Sequence, residues 1–234
     1  MKFAVMQPYF MPYIGYFQLI SAVDKFVIYD NVQYIKNGWI NRNRFLNGAD
    51  AKFFTVPVSK GMHDDLISQR NIAMQIWCRE RKKLCNTLKH AYNKSPFFDD
   101  VFPLIEKCFN HENDKIFKVV EHSLLTLNDY LGIQTEIVNA SNLGIDETLK
   151  AKHRLFAMSK KLNIEHYVNP EGGQELYDKE DFVGHGLTLS FLKAKLMPYV
   201  QFENDFVPGL SIIDVLMFNG KEGTRQMLDD YTLA

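Results

Sequence analysis

The stretch "MKFAVMQPYFMPYIGYFQLISAVDKFVIYD" (residues 1–30) decides the fold. It holds an apolar run at 2–7, a turn with two prolines, an apolar pattern of helical spacing at 15–24 and a second apolar run at 25–30. The two runs predict buried strands, and the segment between them predicts a helix. A βαβ unit of this kind has parallel strands and binds ligands at their carboxyl ends.

The rest of the chain continues this alternation. A third strand is predicted at 51–58, and helices are predicted at 73–95, 101–110 and 114–133. Further elements are a strand at 135–141, a helix at 145–164, a strand with a Gly-Gly turn and a short helix within 165–177, a strand at 187–196, and a last helix ending at Asn219-Gly220. We therefore predict one α/β unit over 1–234, with a Rossmann-like, nucleotide-binding parallel sheet and a helical insertion or lobe at about 73–131.

The charge, the cysteines and the motifs of the chain argue against several functional classes. The formal net charge of −1 gives no overall field that would attract nucleic acid or an anionic membrane. Cys78, Cys85 and Cys108 form no CxxC pair, and residues 1–6 do not resemble a leader peptide. No apolar run is long enough to span a membrane, so a reduced, cytoplasmic protein is expected. The histidines lack metal-ligand spacing, and Walker A and GxGxxG motifs are absent, so no metal or cofactor is predicted.

The first loop carries "YIGY" (13–16) in the frame that nucleotidylyl transferases fill with HxGH. Imidazoles in that motif stabilise the charge that builds on phosphates, whereas tyrosines carry no positive charge at neutral pH. The sequence therefore predicts a loop that binds a nucleotide moiety without transferring phosphate. Its candidate binding residues are Gln7, Tyr9, Pro12, Tyr13, Gly15 and Tyr16.

The densest polar and aromatic cluster is "YDNVQYIKNGWINRNRF" (29–45), directly after the second strand. Arginine and asparagine can bind phosphate or a carbonyl group, and tryptophan or tyrosine can stack on a ring. A loop whose asparagines only satisfy turns is the alternative. As a ligand site, the cluster offers Asp30, Gln33 and Asn41 for catalysis and Tyr34, Lys36, Trp39, Arg42, Asn43 and Arg44 for binding.

Two later segments are also candidates for substrate binding. Gly172-Gly173 precedes a predicted short helix and forms either an anion cradle or a simple turn. Ser211 and Asp214 open the last predicted helix, where a helix cap and an acidic residue of the first turn also explain them.

The blocks "QPYFMPYIGYFQLI", "FVIYDNVQYIKNGWINRNRF", "TVPV" and "LSIIDVLMFNG" resemble those of the WbqC-like proteins, and the resemblance runs from about residue 3 to 230. It implies a role in O-antigen or other surface-polysaccharide biosynthesis, with transfer of glycine to an amino sugar as an activity proposed for the family. No catalytic role for a residue comes with it. The family's motif residues carry over to Gln7, Pro8, Tyr9, Pro12, Gly15, Tyr16, Asp30, Gln33, Trp39, Asn41, Arg42, Ser211 and Asp214.

The expected reaction is therefore aminoacyl transfer to the amine of a nucleotide-linked amino sugar. Asp30 is expected to take the proton of the attacking amine, and Asn41 and Gln33 to steady the oxyanion. Arg42 is expected on the diphosphate. The donor is left open between a carrier protein, an aminoacyl-tRNA and an adenylate. Two alternatives remain: a nucleotidylyl transferase that uses Lys36, Arg42 or Arg44, and a non-catalytic module that binds a sugar nucleotide.

Overall fold

The computed structural model describes residues 1–203 and 205–234. In chain order its main elements are β1 (Phe3–Met6), α1 (Ile14–Ser21), β2 (Lys25–Ile28), β3 (Arg42–Asn47), β4 (Asp50–Thr55), α2 (Met74–Tyr92), α3 (Phe98–Phe109), α4 (Ile116–Leu131), β5 (Glu136–Asn139), α5 (Ala151–Leu162), β6 (His166–Pro170), α6 (Lys179–Val183), β7 (Thr188–Ala194), α7 (Ile212–Gln226) and β8 (Tyr231–Leu233). Short 3₁₀ helices lie at Ile67–Gln69, Ala140–Leu143, Glu171–Leu176 and Met227–Asp229.

The central sheet has the strand order β5-β2-β1-β6-β7-β8. Its first five strands are parallel, and β8 runs antiparallel to β7. The prediction of a mixed α/β fold with a mostly parallel sheet is confirmed. The chain builds outward from β1 through β2 to β5 and then returns to the other side of β1 with β6. The strand order therefore reverses between β1 and β6, and ligands of such sheets bind at that point.

Alternate residues of each strand enter separate cores on the two faces of the sheet. Ala4 and Phe26 belong to a large core that also contains buried residues of α1, α2, α3, α4 and α7. Phe3 and Val27 belong to a smaller core with α5 and α6. The segment predicted as a helical insertion thus contributes α2 to α4 to the larger core.

The predicted strand at 51–58 exists as β4 (Asp50–Thr55), but it does not join the central sheet. It pairs in antiparallel register with β3, in a hairpin separate from the central sheet. The loop predicted over 29–45 was also wrong at its end, because β3 begins at Arg42. Partly exposed and buried residues alternate at the start of β3. The strand that pairs with it, β4, follows only after the turn at Gly48.

The predicted end of the last helix at Asn219-Gly220 corresponds to a break between two helical stretches within α7. Gly220 has φ 62° and ψ −167°, which kinks the chain, and helical structure resumes up to Gln226. A side chain at Gly220 would also approach the ring of Phe97 to 2.6 Å, so glycine is required here. Strand β8 was not predicted. None of the helices in the described part of the chain combines the length and apolar character needed to cross a membrane.

Candidate active site

An open cavity of about 510 Å³ lies where the strand order reverses. Its floor contains Met6 at the end of β1, Pro170 at the end of β6 and Ala194 at the end of β7. The remaining lining residues come from the β1–α1 loop, α1, β3 and the turn before it, β7 and the segments after β6 and β7: Tyr9, Pro12, Tyr13, Gly15, Tyr16, Leu19, Trp39, Asn43, Arg44, Glu171, Gly172, Leu192, Leu196 and Gly209. A pocket of this volume matches small-molecule and cofactor sites in other proteins.

The loop between β1 and α1 is clamped from two directions. Met11 has a left-handed φ of 47°, and its carbonyl accepts hydrogen bonds from the Asn43 side chain at 2.9 Å and the Ser211 hydroxyl at 2.7 Å. The Asn43 amide also donates to the carbonyl of Phe10 at 3.3 Å. These bonds tie the loop to β3 and to the start of α7. The aromatic residues of the loop are therefore presented to the cavity by a fixed backbone.

The tyrosines of "YIGY" have different roles. The Tyr16 hydroxyl donates to the main-chain carbonyl of Gln7 at 2.9 Å, and burial raises the pKa of this hydroxyl well above its usual value. Tyr13 occupies the N-cap position of α1, and no side chain caps the helix. A side chain at Gly15 would overlap the Tyr13 ring and approach the Cβ of Ala194 to 2.8 Å. Glycine therefore lets the Tyr13 ring lie across the start of α1.

The hydroxyl groups of Tyr9 and Tyr13 remain neutral donors at physiological pH. Burial raises the pKa of both groups, and for Tyr9 the neighbouring Tyr13 raises it further. Together with the uncapped start of α1, which carries no acidic residue in its first turn, they give the cavity a wall of hydrogen-bond donors. This wall suits an oxygen-rich or anionic ligand.

Arg44 and Trp39 form the opposite wall. The Arg44 Nη2 donates to the carbonyl of Gly209 at 3.2 Å, whereas its Nε is buried without a hydrogen-bond partner. The guanidinium lies 5.9 Å from the centre of the Trp39 ring, which is 39% exposed. Among the described residues lining the cavity, Arg44 is the one cation. It is the group best placed to bind a phosphate or carboxylate there.

Glu171, the first residue after β6, is the one carboxylate among the described lining residues and was not predicted. Its Oε1 lies 3.0 Å from the Lys193 Nζ, and both side chains are about half exposed. The segment around it was interpreted through Gly172-Gly173. The signal that could have found it is an acidic residue directly after a strand, which was applied only to Asp30.

The two glycines of the predicted pair lie in different surroundings. Gly172 lines the cavity, and a Cβ added there would meet nothing within 4 Å. Gly173 faces the side-chain amide of Asn169, which a side chain at this position would overlap.

Asp30 lies outside the cavity lining, as does the Gln7 side chain. Asp30 is 2% exposed, and its Oδ1 accepts the main-chain N–H of Ser141 at 2.9 Å. This bond joins the end of β2 to the 3₁₀ helix that follows β5.

Three further predicted residues, Tyr34, Asn41 and Gln33, make hydrogen bonds within the protein. The buried Tyr34 hydroxyl donates to the Asn41 Oδ1 at 2.8 Å, and the Asn41 amide donates to the carbonyl of Val56 at 2.7 Å. Gln33 is exposed and donates to the carbonyl of His63 at 2.7 Å. None of these three side chains lines the cavity within the described residues.

Arg42 and Lys36 also lie outside the cavity lining. The Arg42 guanidinium donates to the main-chain carbonyls of Gly38 and Asn37, so it fixes the turn that carries Trp39. Lys36 is exposed. The cation that reaches the cavity is thus Arg44 rather than the Arg42 expected on the diphosphate.

Ser211 and Asp214 hold the start of α7. The Ser211 hydroxyl accepts a hydrogen bond from the N–H of Ile213 at 3.3 Å. Ser211 is therefore the helix cap that was predicted as the alternative to a binding role. Asp214 is fully buried and accepts hydrogen bonds from the hydroxyls of Tyr92 and Tyr199 at 2.7 and 2.6 Å and from the Gln201 amide at 2.6 Å. Burial nevertheless raises the pKa of Asp214. Asp214 supports the core and does not line the cavity.

Comparison with known proteins places this architecture in a family. The model of the WbqC-like protein family matches residues 7–226, which is nearly the whole chain. The chain belongs to the WbqC-like family. It is also 27% identical over 224 residues to the uncharacterized protein Rv1507c of Mycobacterium tuberculosis (strain ATCC 25618 / H37Rv), a match covering 94% of this chain and 95% of that protein. No solved structure matches the chain.

The predicted resemblance to WbqC-like proteins is thus confirmed, and the structure gives the family-like blocks physical roles. The first block forms the cavity loop and α1, which contribute Tyr9, Tyr13 and Gly15. The second block contributes Trp39 and Arg44 to the cavity, while several of its other polar residues fix the hairpin. The block at the start of α7 clamps the loop through Ser211.

Proposed function

We propose that the cavity binds a nucleotide-linked amino sugar and that the protein transfers an aminoacyl group such as glycine to the sugar amine, as a step of surface-polysaccharide biosynthesis. The observation that carries this proposal is the composition of the cavity at the strand-order reversal. Aromatic rings, neutral hydroxyl donors, one arginine and one carboxylate line it together. Membership of the WbqC-like family supports the pathway.

The ligand is oriented by charge and by stacking. The diphosphate lies between the Arg44 guanidinium and the uncapped start of α1, because both favour an anion. The base or the sugar ring stacks on Trp39, whose ring is partly exposed. Tyr9 and Tyr13 donate hydrogen bonds to oxygen atoms of the ligand.

The amine then attacks the carbonyl carbon of the activated aminoacyl donor. Glu171 accepts the proton that the ammonium must lose, and a new C–N bond forms at the carbonyl carbon. The bond from this carbon to the donor's oxygen or sulfur breaks, and the leaving group is protonated. The hydroxyl of Tyr13 stabilises the intermediate oxyanion. Positioning and proton transfer of this kind accelerate acyl transfer without a covalent enzyme intermediate.

A non-catalytic sugar-nucleotide-binding module is the second candidate. It is favoured by the position of Lys193, whose Nζ donates a hydrogen bond to the Glu171 Oε1 and so competes with a substrate amine for this carboxylate. Nucleotidylyl transfer is disfavoured because Tyr16, in the frame of the last histidine of HxGH, has its hydroxyl bonded to the Gln7 carbonyl.

A transfer assay tests the catalytic proposal. The purified protein is incubated with UDP-, GDP- and dTDP-linked amino sugars and with glycine supplied as a glycyl-RNA ester, a glycyl thioester or glycine with ATP. Mass spectrometry is expected to detect a glycyl amide on one sugar nucleotide.

The Glu171→Gln variant should reduce the rate about 100-fold or more while it retains ligand binding. Glu175→Gln changes an exposed carboxylate of the same 3₁₀ helix that does not line the cavity, and should leave the rate unchanged. Full turnover by Glu171→Gln would remove this residue from the mechanism. Tight binding without any product would favour the binding module.

A further inference from the structure

The positive and negative charges of this near-neutral chain are unevenly distributed along the sequence. Residues 31–94 contain 12 Lys and Arg but 4 Asp and Glu, which gives them a formal net charge of +8. The other residues contain 15 Lys and Arg and 24 Asp and Glu. The basic segment comprises the β3–β4 hairpin and α2. The expectation that charge gives no attraction to nucleic acid holds for the whole chain but not for this part of it.

The outer face of the hairpin combines cations with exposed rings. The register places Arg44 opposite Phe53, and strand alternation puts Arg42 on the same face. The rings of Trp39 and Phe53 are stacked with centres 6.1 Å apart, and the Arg42 guanidinium lies 4.9 Å from the Phe53 ring. Trp39 is 39% and Phe53 54% exposed. We call these four residues the hairpin platform.

The hairpin platform connects the cavity to a second depression. Trp39 and Arg44 line the cavity, whereas Phe53 lines a groove of about 400 Å³ between β4 and α2. Lys52 and Lys83 also line this groove. Glu80 lies there too, and its carboxylate is neutralised by Lys83 at 3.0 Å and Arg79 at 3.2 Å. The hairpin platform and the lysines of this groove together form a basic, aromatic surface between the cavity and α2, with Lys52 on the other face of β4 from Phe53.

We infer that this surface binds the single-stranded 3′ end of an aminoacylated RNA, which supplies the aminoacyl group. The inference rests on the proposed function and names its donor. Unpaired bases stack on aromatic rings and arginine planes, and their phosphates favour basic grooves. Positive charge alone would suit an acidic carrier protein equally well. The exposed rings of Trp39 and Phe53 favour a nucleic acid, because a carrier protein presents no bases to stack on them.

The position of Trp39 joins the hairpin platform to the cavity. Since Trp39 belongs to both the hairpin platform and the cavity, a strand on the platform brings its terminal nucleotide to the cavity mouth. The sugar amine attacks the ester carbonyl of that nucleotide. The C–N bond forms, the ester C–O bond breaks, and the released ribose oxygen takes a proton. The products are the amide and a free RNA 3′ end.

Fluorescence anisotropy with a labelled single-stranded RNA dodecamer ending in CCA tests the inference. The wild type should bind at about 50 mM salt, and its affinity should fall steeply as salt is raised. Phe53→Ala should weaken binding about tenfold through lost stacking. Lys52→Glu combined with Lys83→Glu should weaken it by at least as much and flatten the salt dependence.

The matched control is Lys160→Glu combined with Lys161→Glu, which makes the same charge change at exposed positions of α5. It should leave RNA affinity unchanged. Equal losses in the control, or no RNA binding by the wild type at low salt, would overturn the inference.

The same variants separate this inference from the proposed function. Lys52, Phe53 and Lys83 do not line the cavity, so their variants should keep the thermal stabilisation that a nucleotide-linked amino sugar gives the wild type. Transfer from a glycyl thioester carrier by a protein that does not bind RNA would overturn the inference and leave the proposed function intact. If the wild type binds no sugar nucleotide, the proposed function itself is contradicted.

Discussion

The Tyr16 hydroxyl donates a hydrogen bond to the main-chain carbonyl of Gln7 at 2.9 Å, and this bond closes the loop between β1 and α1. Both tyrosines of "YIGY" line the cavity, but the hydroxyl of the second holds the loop, whereas the ring of the first lies across Gly15. The frame that carries histidines in nucleotidylyl transferases here contains one tyrosine with a structural hydrogen bond and one that we propose contacts the ligand.

This division predicts opposite effects for two equivalent substitutions. Tyr16→Phe leaves the Gln7 carbonyl without its partner and should lower the free energy of unfolding by about 1 kcal/mol. Tyr13→Phe should leave stability unchanged and weaken the binding of a nucleotide-linked amino sugar. Urea unfolding and titration calorimetry on both variants measure the two effects. The reverse pattern, with affinity lost in Tyr16→Phe alone, would contradict the assignment.

Two arginines of the hairpin should also respond differently to substitution. Arg44→Ala removes the cation of the cavity and should weaken sugar-nucleotide binding about tenfold or more. Arg42→Ala removes donors to the Asn37 and Gly38 carbonyls and should mainly lower stability. Calorimetry and thermal unfolding of the pair test this, with each variant as the control for the other. Equal affinity in the two variants would exclude Arg44 as the phosphate ligand.

Asp214 predicts a defined pH dependence of stability. Burial raises its pKa in the folded protein above the ordinary value of 3.8, despite opposing hydrogen bonds from Tyr199, Tyr92 and Gln201. A carboxyl group of this kind contributes stability below its unfolded pKa, and that stability is lost as pH rises through the folded pKa. The stability of the wild type relative to Asp214→Asn should therefore fall as the pH rises from about 4.

Urea unfolding of both proteins between about pH 4 and pH 7 measures that difference. A difference that does not change with pH would show that Asp214 has the same pKa in the folded and unfolded chains.

The three cysteines should differ in reactivity. Burial raises the pKa of the Cys85 thiol to about 11 and that of Cys108 to about 12, so at pH 8 both are protonated. Cys78 is exposed. A thiol reagent should modify one cysteine rapidly in the native protein, and Cys78→Ser should abolish this fast reaction. Rapid modification of Cys85 in that variant would instead indicate a reactive thiol on α2.

Strands and helices were predictable where the sequence pattern depends only on neighbouring residues. Apolar runs such as 25–30 and the helical spacing around α4 depend on neighbouring residues, and the structure contains them. Strand β3 was missed because Arg, Asn and Arg at its start read as a loop until β4 pairs with them. Cross-chain pairing thus overrode local preference.

The candidate site was predicted only in part, and for a related reason. Tyr9, Tyr13 and Gly15 line the cavity because they follow β1, and Trp39 does so from the turn before β3. Asp30 and Asn41 have equally suggestive sequence contexts, but their partners, Ser141 and Val56, are distant in the chain. Their hydrogen bonds became visible only with the fold. Glu171 required knowledge that β6 lies next to β1.

We propose above that a nucleotide-linked amino sugar occupies the cavity at the strand-order reversal. Gly172 lines it, and a side chain there meets no neighbour within 4 Å at its Cβ, so Gly172→Trp should fill the cavity without disturbing the backbone. Titration calorimetry of the wild type, Gly172→Trp and Gly172→Ala against UDP-, GDP- and dTDP-linked amino sugars is the most direct test. One sugar nucleotide should bind the wild type and Gly172→Ala but not a folded Gly172→Trp. Undiminished binding to Gly172→Trp would contradict it.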